Sequence, residues 1–266
     1  MNYLHKLIKH HQINEFKTEF RKTDIDLNIR NEYGYTLFHY ACFYGPLEIF
    51  HLLVKDPRVD IYASKNNGES PFSAACANGH LEIVQVLIQD PQFDINIIDY
   101  QGDTPLYLAC SYGHFKIVQI LIQDPRIDIN ISNKYGETAF HKACRSGHFD
   151  IIKLLMQDLR LEINKTNLDS LTPFHYACQT RNINIIKLFL TSNRKIDLQK
   201  QTNKNYLRYR SGTTGFDILR AKKIDLNINE IKKDEISNNE KLLFSIVNED
   251  LETLKKLLKI KPKRKI

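Results

Sequence analysis

Between Thr104 and Gly136 the apolar residues fall into two helical stripes and then an alternating arm. Thr104-Pro105 reads as an N-cap followed by proline at the first helical position, where a missing N–H and a fixed φ cost nothing. Leu106, Ala109 and Cys110 then fall at i, i+3 and i+4 and make one buried face. Gly113 supplies the left-handed residue of a C-terminal cap. Phe115, Val118, Leu121 and Ile122 share the face of a second helix, and Asp124-Pro125 stops it because the ring cannot continue the hydrogen-bond ladder. Arg126 to Gly136 alternates apolar and polar residues and ends in Asn, Lys and Gly, which predicts an extended arm turning back at a hairpin tip.

The same pattern recurs at a fixed step. Cys42, Cys76, Cys110, Cys144 and Cys178 each lie 34 positions from the next, and Gly34, Gly68, Gly102 and Gly136 keep the same step. Self-similarity of this kind makes one short unit, stacked several times, the basis of the fold. A stack grows lengthwise and needs no second core, so 266 residues imply a single elongated domain.

The units resemble the ankyrin repeat. Its phrase G-x-T-P-L-H-x-A-A-x-x-G-H is matched by Gly68 to His80, by Gly102 to His114 and by Gly136 to His148, and a looser copy opens at Gly34. The tetratricopeptide repeat has a similar period, but its tryptophan-led pattern is absent and the chain holds no Trp. The resemblance implies an all-α fold with short β-hairpins, a solenoid of stacked helix-turn-helix units. The family's Gly-Ala turn after the second helix is replaced here by Asp56-Pro57-Arg58, Asp90-Pro91-Gln92 and Asp124-Pro125-Arg126, one residue longer.

Stepping through the chain at this interval gives its organisation. Residues 1–33 form a degenerate capping unit with His10-His11-Gln12 in place of the glycine turn. Five repeats follow over 34–67, 68–101, 102–135, 136–169 and 170–199. The fifth has lost both turn glycines, to Ser170 and Arg181, which predicts a weak seam there. An insertion rich in Tyr, Lys and Arg occupies 200–211, degenerate C-terminal repeats and a cap 212–260, and a basic tail 261–266.

The net charge of +7 is unevenly placed. Residues 194–266 carry 19 Lys+Arg against 10 Asp+Glu, leaving 19 against 21 for residues 1–193. A nucleic-acid reader needs a basic face on its fold, and the repeats have no net basic charge, so nucleic acid is not the expected partner. Lys261-Pro-Lys-Arg-Lys265 reads either as a nuclear-import address or as a solvated tail. No apolar stretch of about 18 residues spans a bilayer, and Lys and His interrupt the N-terminal apolar residues before a secretory signal forms. A soluble monomer in the cytosol or nucleus is expected, without a membrane partner.

No Cys-x-x-Cys pair, His-Glu-x-x-His, phosphate-cradling loop or nucleophile elbow is present, so the expectation is no cofactor, no metal and no catalytic residue. The cysteines sit on apolar helix faces and should be inert, reduced thiols. The family resemblance assigns His39, His141 and His175 in one column, and His80, His114 and His148 in another, to hydrogen bonds that stitch turns and neighbouring units.

The positions that stacking leaves free mark the expected partner surface: Tyr33, Tyr100 and Tyr135 at the tips; Tyr40, Leu108, Lys142 and Tyr176 on the first helix; Phe43, Tyr44, Tyr112 and Arg145 just before the inter-helix turn. In proteins that resemble this one such positions line a concave groove that grips other proteins. Tyrosine gives large contact area for little lost rotamer entropy. The expected function is a non-catalytic scaffold for a protein or peptide partner. The alternative is a nuclear regulatory factor using the basic C-terminal segment for import or phosphate contact.

Overall fold

The computed structural model describes residues 3–180, 182–197 and 200–202. The insertion from residue 203 on, the degenerate C-terminal repeats, the basic tail and Arg181 lie outside the described residues. The chain divides into two compact units, Met1–Leu161 and Glu162–Ile266.

Five helix pairs make the first unit: α1 (Tyr3–Lys9) and α2 (Ile13–Phe20), α3 (Leu37–Tyr44) and α4 (Leu47–Lys55), α5 (Pro71–Asn78) and α6 (Leu81–Leu87), α7 (Pro105–Tyr112) and α8 (Phe115–Gln123), α9 (Ala139–Ser146) and α10 (Phe149–Gln157). First helices pack in series, α1 on α3, α3 on α5, α5 on α7 and α7 on α9, and second helices follow the same order from α2 to α10. The second unit holds α11 (Pro173–Thr180) packed on α12 (Ile183–Thr191). This is the expected all-α repeat solenoid.

The local signals act as read. The side chains of Thr36, Ser70, Thr104 and Thr138 accept a backbone N–H three residues on, and Gly45, Gly79, Gly113 and Gly147 close the first helices with φ of 77 to 80°. A second constraint acts on three of these glycines. The imidazoles of His80, His114 and His148, one unit further on, lie against Gly45, Gly79 and Gly113, where a Cβ would collide with them. Each Nε2 donates to a carbonyl of the preceding unit: His80 to Phe43 and His114 to Ala77 at 2.9 Å, His148 to Ser111 at 3.2 Å. The degenerate first turn uses His11 at φ 53° in place of glycine, and Ser170 stands at φ 60°.

The core alternates large and small groups. Phe38, Phe50, Phe72 and Phe140 are fully covered, beside Ala41-Cys42, Ala75-Cys76, Ala109-Cys110 and Ala143-Cys144, whose small side chains let adjacent first helices approach. All five cysteines are free and buried, and burial pushes the thiols of Cys42, Cys76 and Cys110 well up from their ordinary value. In α8 the covered stripe is Ile117, Val118 and Leu121; Phe115, expected within it, is 37% exposed because it opens the helix at the edge of that face.

The projecting arms differ from the expected hairpins. Among the described residues the strand pairing is one isolated antiparallel bridge, Ser132 to Thr138. Each tip is instead a tight loop closed by two backbone bonds, as in Asn133 N–H to the Glu137 carbonyl (2.9 Å) and Gly136 N–H to the Asn133 carbonyl (2.8 Å). The carboxamide or carboxylate oxygen of Asn31, Asp99 and Asn133 accepts two further N–H groups of its own tip, satisfying donors that a ladder would otherwise pair.

The Asp-Pro turns also have a defined path. Asp56, Asp124 and Asp158 hold the Arg two residues on in a forked ion pair of 2.6 to 2.7 Å, which lowers the Asp56 and Asp124 carboxyl pKa values. Arg126 and Arg160 reach back to the carbonyls of Ile88 and Ile122 in the preceding unit. Beside them runs a row of asparagines: Asn28 and Asn96 each donate to an Arg carbonyl 30 residues on and accept the N–H two residues later, while Asn130 donates to the Arg160 carbonyl. Tyr62 occupies the intervening place and bonds the Asp90 carboxylate at 2.6 Å.

Candidate recognition surface

The tips and first helices of the first unit carry most of the residues that the sequence assigns to partner contact. Tyr33, Tyr100, Tyr112 and Tyr135 are 62, 72, 62 and 56% exposed. Rings of this size left in water at recurring positions contribute nothing to the core, so stacking does not account for them. Tyr100 is positioned by its neighbour: its ring lies over Gly68 in the preceding tip, and its N–H bonds the Asn67 carbonyl at 2.9 Å. Lys134 repeats that link to Gln101, so adjacent tips are joined backbone to backbone.

Two of the expected contact residues belong to the core. Tyr40 is 6% exposed, with its ring 5.0 Å from His5, 5.5 Å from Tyr35 and 4.8 Å from Tyr44. Tyr176, in the second unit, is 1% exposed and its hydroxyl accepts from Asn167 Nδ2 at 3.1 Å. Both stand where the tip loop folds over the base of the first helix, and a large ring there is covered. Phe43 and Tyr44 are half-buried against one another at 5.0 Å. Tyr112 escapes this fate because the residue one turn earlier is Leu108, not a ring to stack on.

Around Tyr40 lies an aromatic cluster that the sequence reading missed in part. His5 falls in the same column as His39, 34 residues earlier, which was the available signal. Its Nε2 donates to the Tyr35 carbonyl at 2.8 Å, and burial lowers its pKa. Lys65 donates to the Tyr35 hydroxyl at 2.7 Å, and its Nζ lies 4.1 Å from the ring centroid. Arg30 is held by the carbonyls of Gly34 and Ser64. Histidines of the first column behave differently from one another. His141 and His175 accept the backbone N–H of Thr138 and Thr172 on Nδ1, whereas His39 is fully buried with neither ring nitrogen bonded.

The third and fourth repeats carry a polar cluster instead. Tyr107 donates to Glu137 at 3.2 Å, Arg145 pairs with the same carboxylate at 3.5 Å, and Asn133 donates to Asp103 at 2.8 Å. Burial pushes the Asp103 carboxyl up despite that bond, and burial with the Glu137 and Asp103 charges raises the Tyr107 phenol. Lys142 lies 5.7 Å from the centre of the Tyr107 ring and Lys134 5.2 Å from that of Tyr135. Leu108 is half-buried. Among the described residues no group of three or more His, Cys, Asp or Glu is placed to hold a metal ion, and no helix is long and apolar enough to cross a membrane.

Stacked helix pairs, glycine turns locked by the next unit's histidine, and projecting tips joined edge to edge define a repeat scaffold. Comparison with protein families gives the same result: ankyrin repeats in three copies match residues 58–133 and 125–202, and ankyrin repeats in many copies match residues 21–73. The chain belongs to the ankyrin-repeat family, whose members are generally protein interaction modules and typically non-catalytic. Comparison with curated proteins finds no match.

Proposed function

We propose that this chain is a non-catalytic scaffold that holds a protein or peptide partner across its tips and first-helix face. The observation that carries this reading is the set of tyrosine rings left in water. Tyr33, Tyr100, Tyr112 and Tyr135 stand more than half exposed, while Phe38, Phe50, Phe72 and Phe140, with Tyr40, are covered in the core. Tyrosine anchors of this kind dominate binding energy at protein interfaces. Lys142 and Arg145 add polar contacts on the same face, and Phe43, Tyr44 and Leu108 add half-covered apolar area. Tyr40 packs beneath this surface against His5, Tyr35 and Tyr44.

The test compares two chains immobilised side by side and exposed to extract from the source cell, with bound proteins identified by mass spectrometry. A partner retained by the wild type should be lost, or held at least about tenfold more weakly, by Tyr100→Ala/Tyr112→Ala, which removes two anchors of about 1 kcal/mol or more each. The melting temperature should be unchanged. Equal retention by both chains excludes this surface as the binding face.

A further inference from the structure

Three columns on the recognition face can be compared across the units: 32, 66, 100, 134 and 168 at the tips; 40, 74, 108, 142 and 176 on the first helix; 43, 77, 111, 145 and 179 before the turn. Only the copy at Lys134, Lys142 and Arg145 carries a cation in all three. The matching positions of the first copy are Glu32, Tyr40 and Phe43. The face is therefore polarised along the first unit, aromatic at one end and cationic at the other.

The side-chain geometry sharpens that contrast. At the first tips Lys65 and Arg30 are turned inward, Lys65 onto Tyr35 and Arg30 onto two carbonyls. Around Lys134, Lys142 and Arg145 the arrangement is reversed. The carboxylates Asp99, Asp103 and Glu137 are half-buried or buried and accept bonds from backbone N–H groups, Asn133 and Tyr107. Lys134 is exposed and Lys142 half-exposed, and among the described residues neither pairs with a carboxylate; each ammonium lies over a tyrosine ring. The Arg145 side chain is 52% exposed, and its planar fork of donors suits a carboxylate.

We infer that the partner segment received by this face is acidic where it meets the third and fourth units, with carboxylates on Lys134, Lys142 and Arg145 and an apolar or aromatic part toward Phe43 and Tyr44. This rests on the scaffold reading given above and adds the chemistry of the ligand. A phosphate backbone fits less well. It needs a continuous basic track, whereas residues 1–193 carry 19 Lys+Arg against 21 Asp+Glu.

The probe is a displayed library of random 12-residue peptides, selected on the full chain at about 150 mM salt. The selected pool should hold at least about twice the Asp+Glu of the starting library, the excess expected where exposed cations set partner choice. A resynthesised acidic peptide from it should bind about tenfold or more weakly to Lys134→Gln/Lys142→Gln/Arg145→Gln. If loss of the Arg145 to Glu137 pair lowers the melting temperature of that variant, Lys134→Gln/Lys142→Gln serves, since neither lysine forms an ion pair. A selected pool with no acidic bias, or an affinity the glutamines leave unchanged, overturns the acidic ligand alone, provided Tyr112→Ala still weakens binding. A pool that shows no enrichment, or peptides indifferent to Tyr100→Ala and Tyr112→Ala as well, overturns the scaffold reading with it. A fluorescent single-stranded RNA of about 20 nucleotides that binds more tightly than the selected peptide and is lost on the glutamine variants overturns the proposal in favour of nucleic acid.

Discussion

His39 makes the first unit acid-sensitive by an amount the structure sets. The ring is fully buried in α3, stands nearly perpendicular to the Tyr35 ring with the two centroids 4.8 Å apart, and neither nitrogen has a hydrogen-bond partner. Burial, with the nearby positive charges of Lys65 and Arg30, lowers its pKa from 6.5 to about 3. The unfolded chain therefore takes up a proton that the folded chain refuses between these two values, so stability is complete above pH 6.5 and falls as pH drops through the window. One proton refused corresponds to about 1.4 kcal/mol per pH unit. Acidification from pH 6.5 to pH 5 should thus remove about 2 kcal/mol through His39, a large part of the 5 to 15 kcal/mol typical of a domain. His39→Phe keeps a ring of similar shape, removes the titration and abolishes two unbonded polar atoms, so at pH 7 it should be neutral or stabilising. Urea unfolding followed by circular dichroism at pH 7 and pH 5 measures the difference: the wild type should lose about 2 kcal/mol more than His39→Phe, other titrations being common to both. Equal losses would show that His39 is protonated in the folded chain or reaches solvent, and the reasoning would fail.

Three other outcomes follow from the same geometry. Leu121→Ala empties a fully buried site in α8 and should cost about 2 to 5 kcal/mol in denaturant unfolding, whereas Tyr112→Ala, on an exposed ring, should stay within about 0.5 kcal/mol. Asn96→Ala removes the clip between the Arg126 carbonyl (2.8 Å) and the Asp128 N–H (2.9 Å) and should cost about 1 to 2 kcal/mol, with faster hydrogen exchange at the Asp128 amide as the local readout. Ser170→Gly relieves a side chain held at φ 60° and should raise the melting temperature of the second unit, a gain of about 1 kcal/mol; a fall in melting temperature would show that the Ser170 side chain contributes more than its strain costs.

The helices, their ends and their order were legible in the sequence because each depends on residues within a turn of one another. Thr104-Pro105 and Gly113 are local instructions, and a 34-residue step copies them from unit to unit. The covered faces of Leu106, Ala109, Cys110, Val118 and Leu121 followed from helical spacing alone. What the sequence left undecided lies between units, where the contacts that matter come from residues 30 to 38 positions away. Tyr44 and Tyr112 occupy one column, yet a tyrosine one turn earlier covers the first and a leucine leaves the second in water. His39 and His141 occupy another, and only His141 bonds its own N-cap. Tyr40 and Lys142 share a position, but a ring can be buried among His5, Tyr35 and Tyr44, whereas an ammonium keeps its charge toward water. Side-chain volume and charge of the residues packed around each position, not the repeat pattern itself, decide which positions of this chain stay exposed.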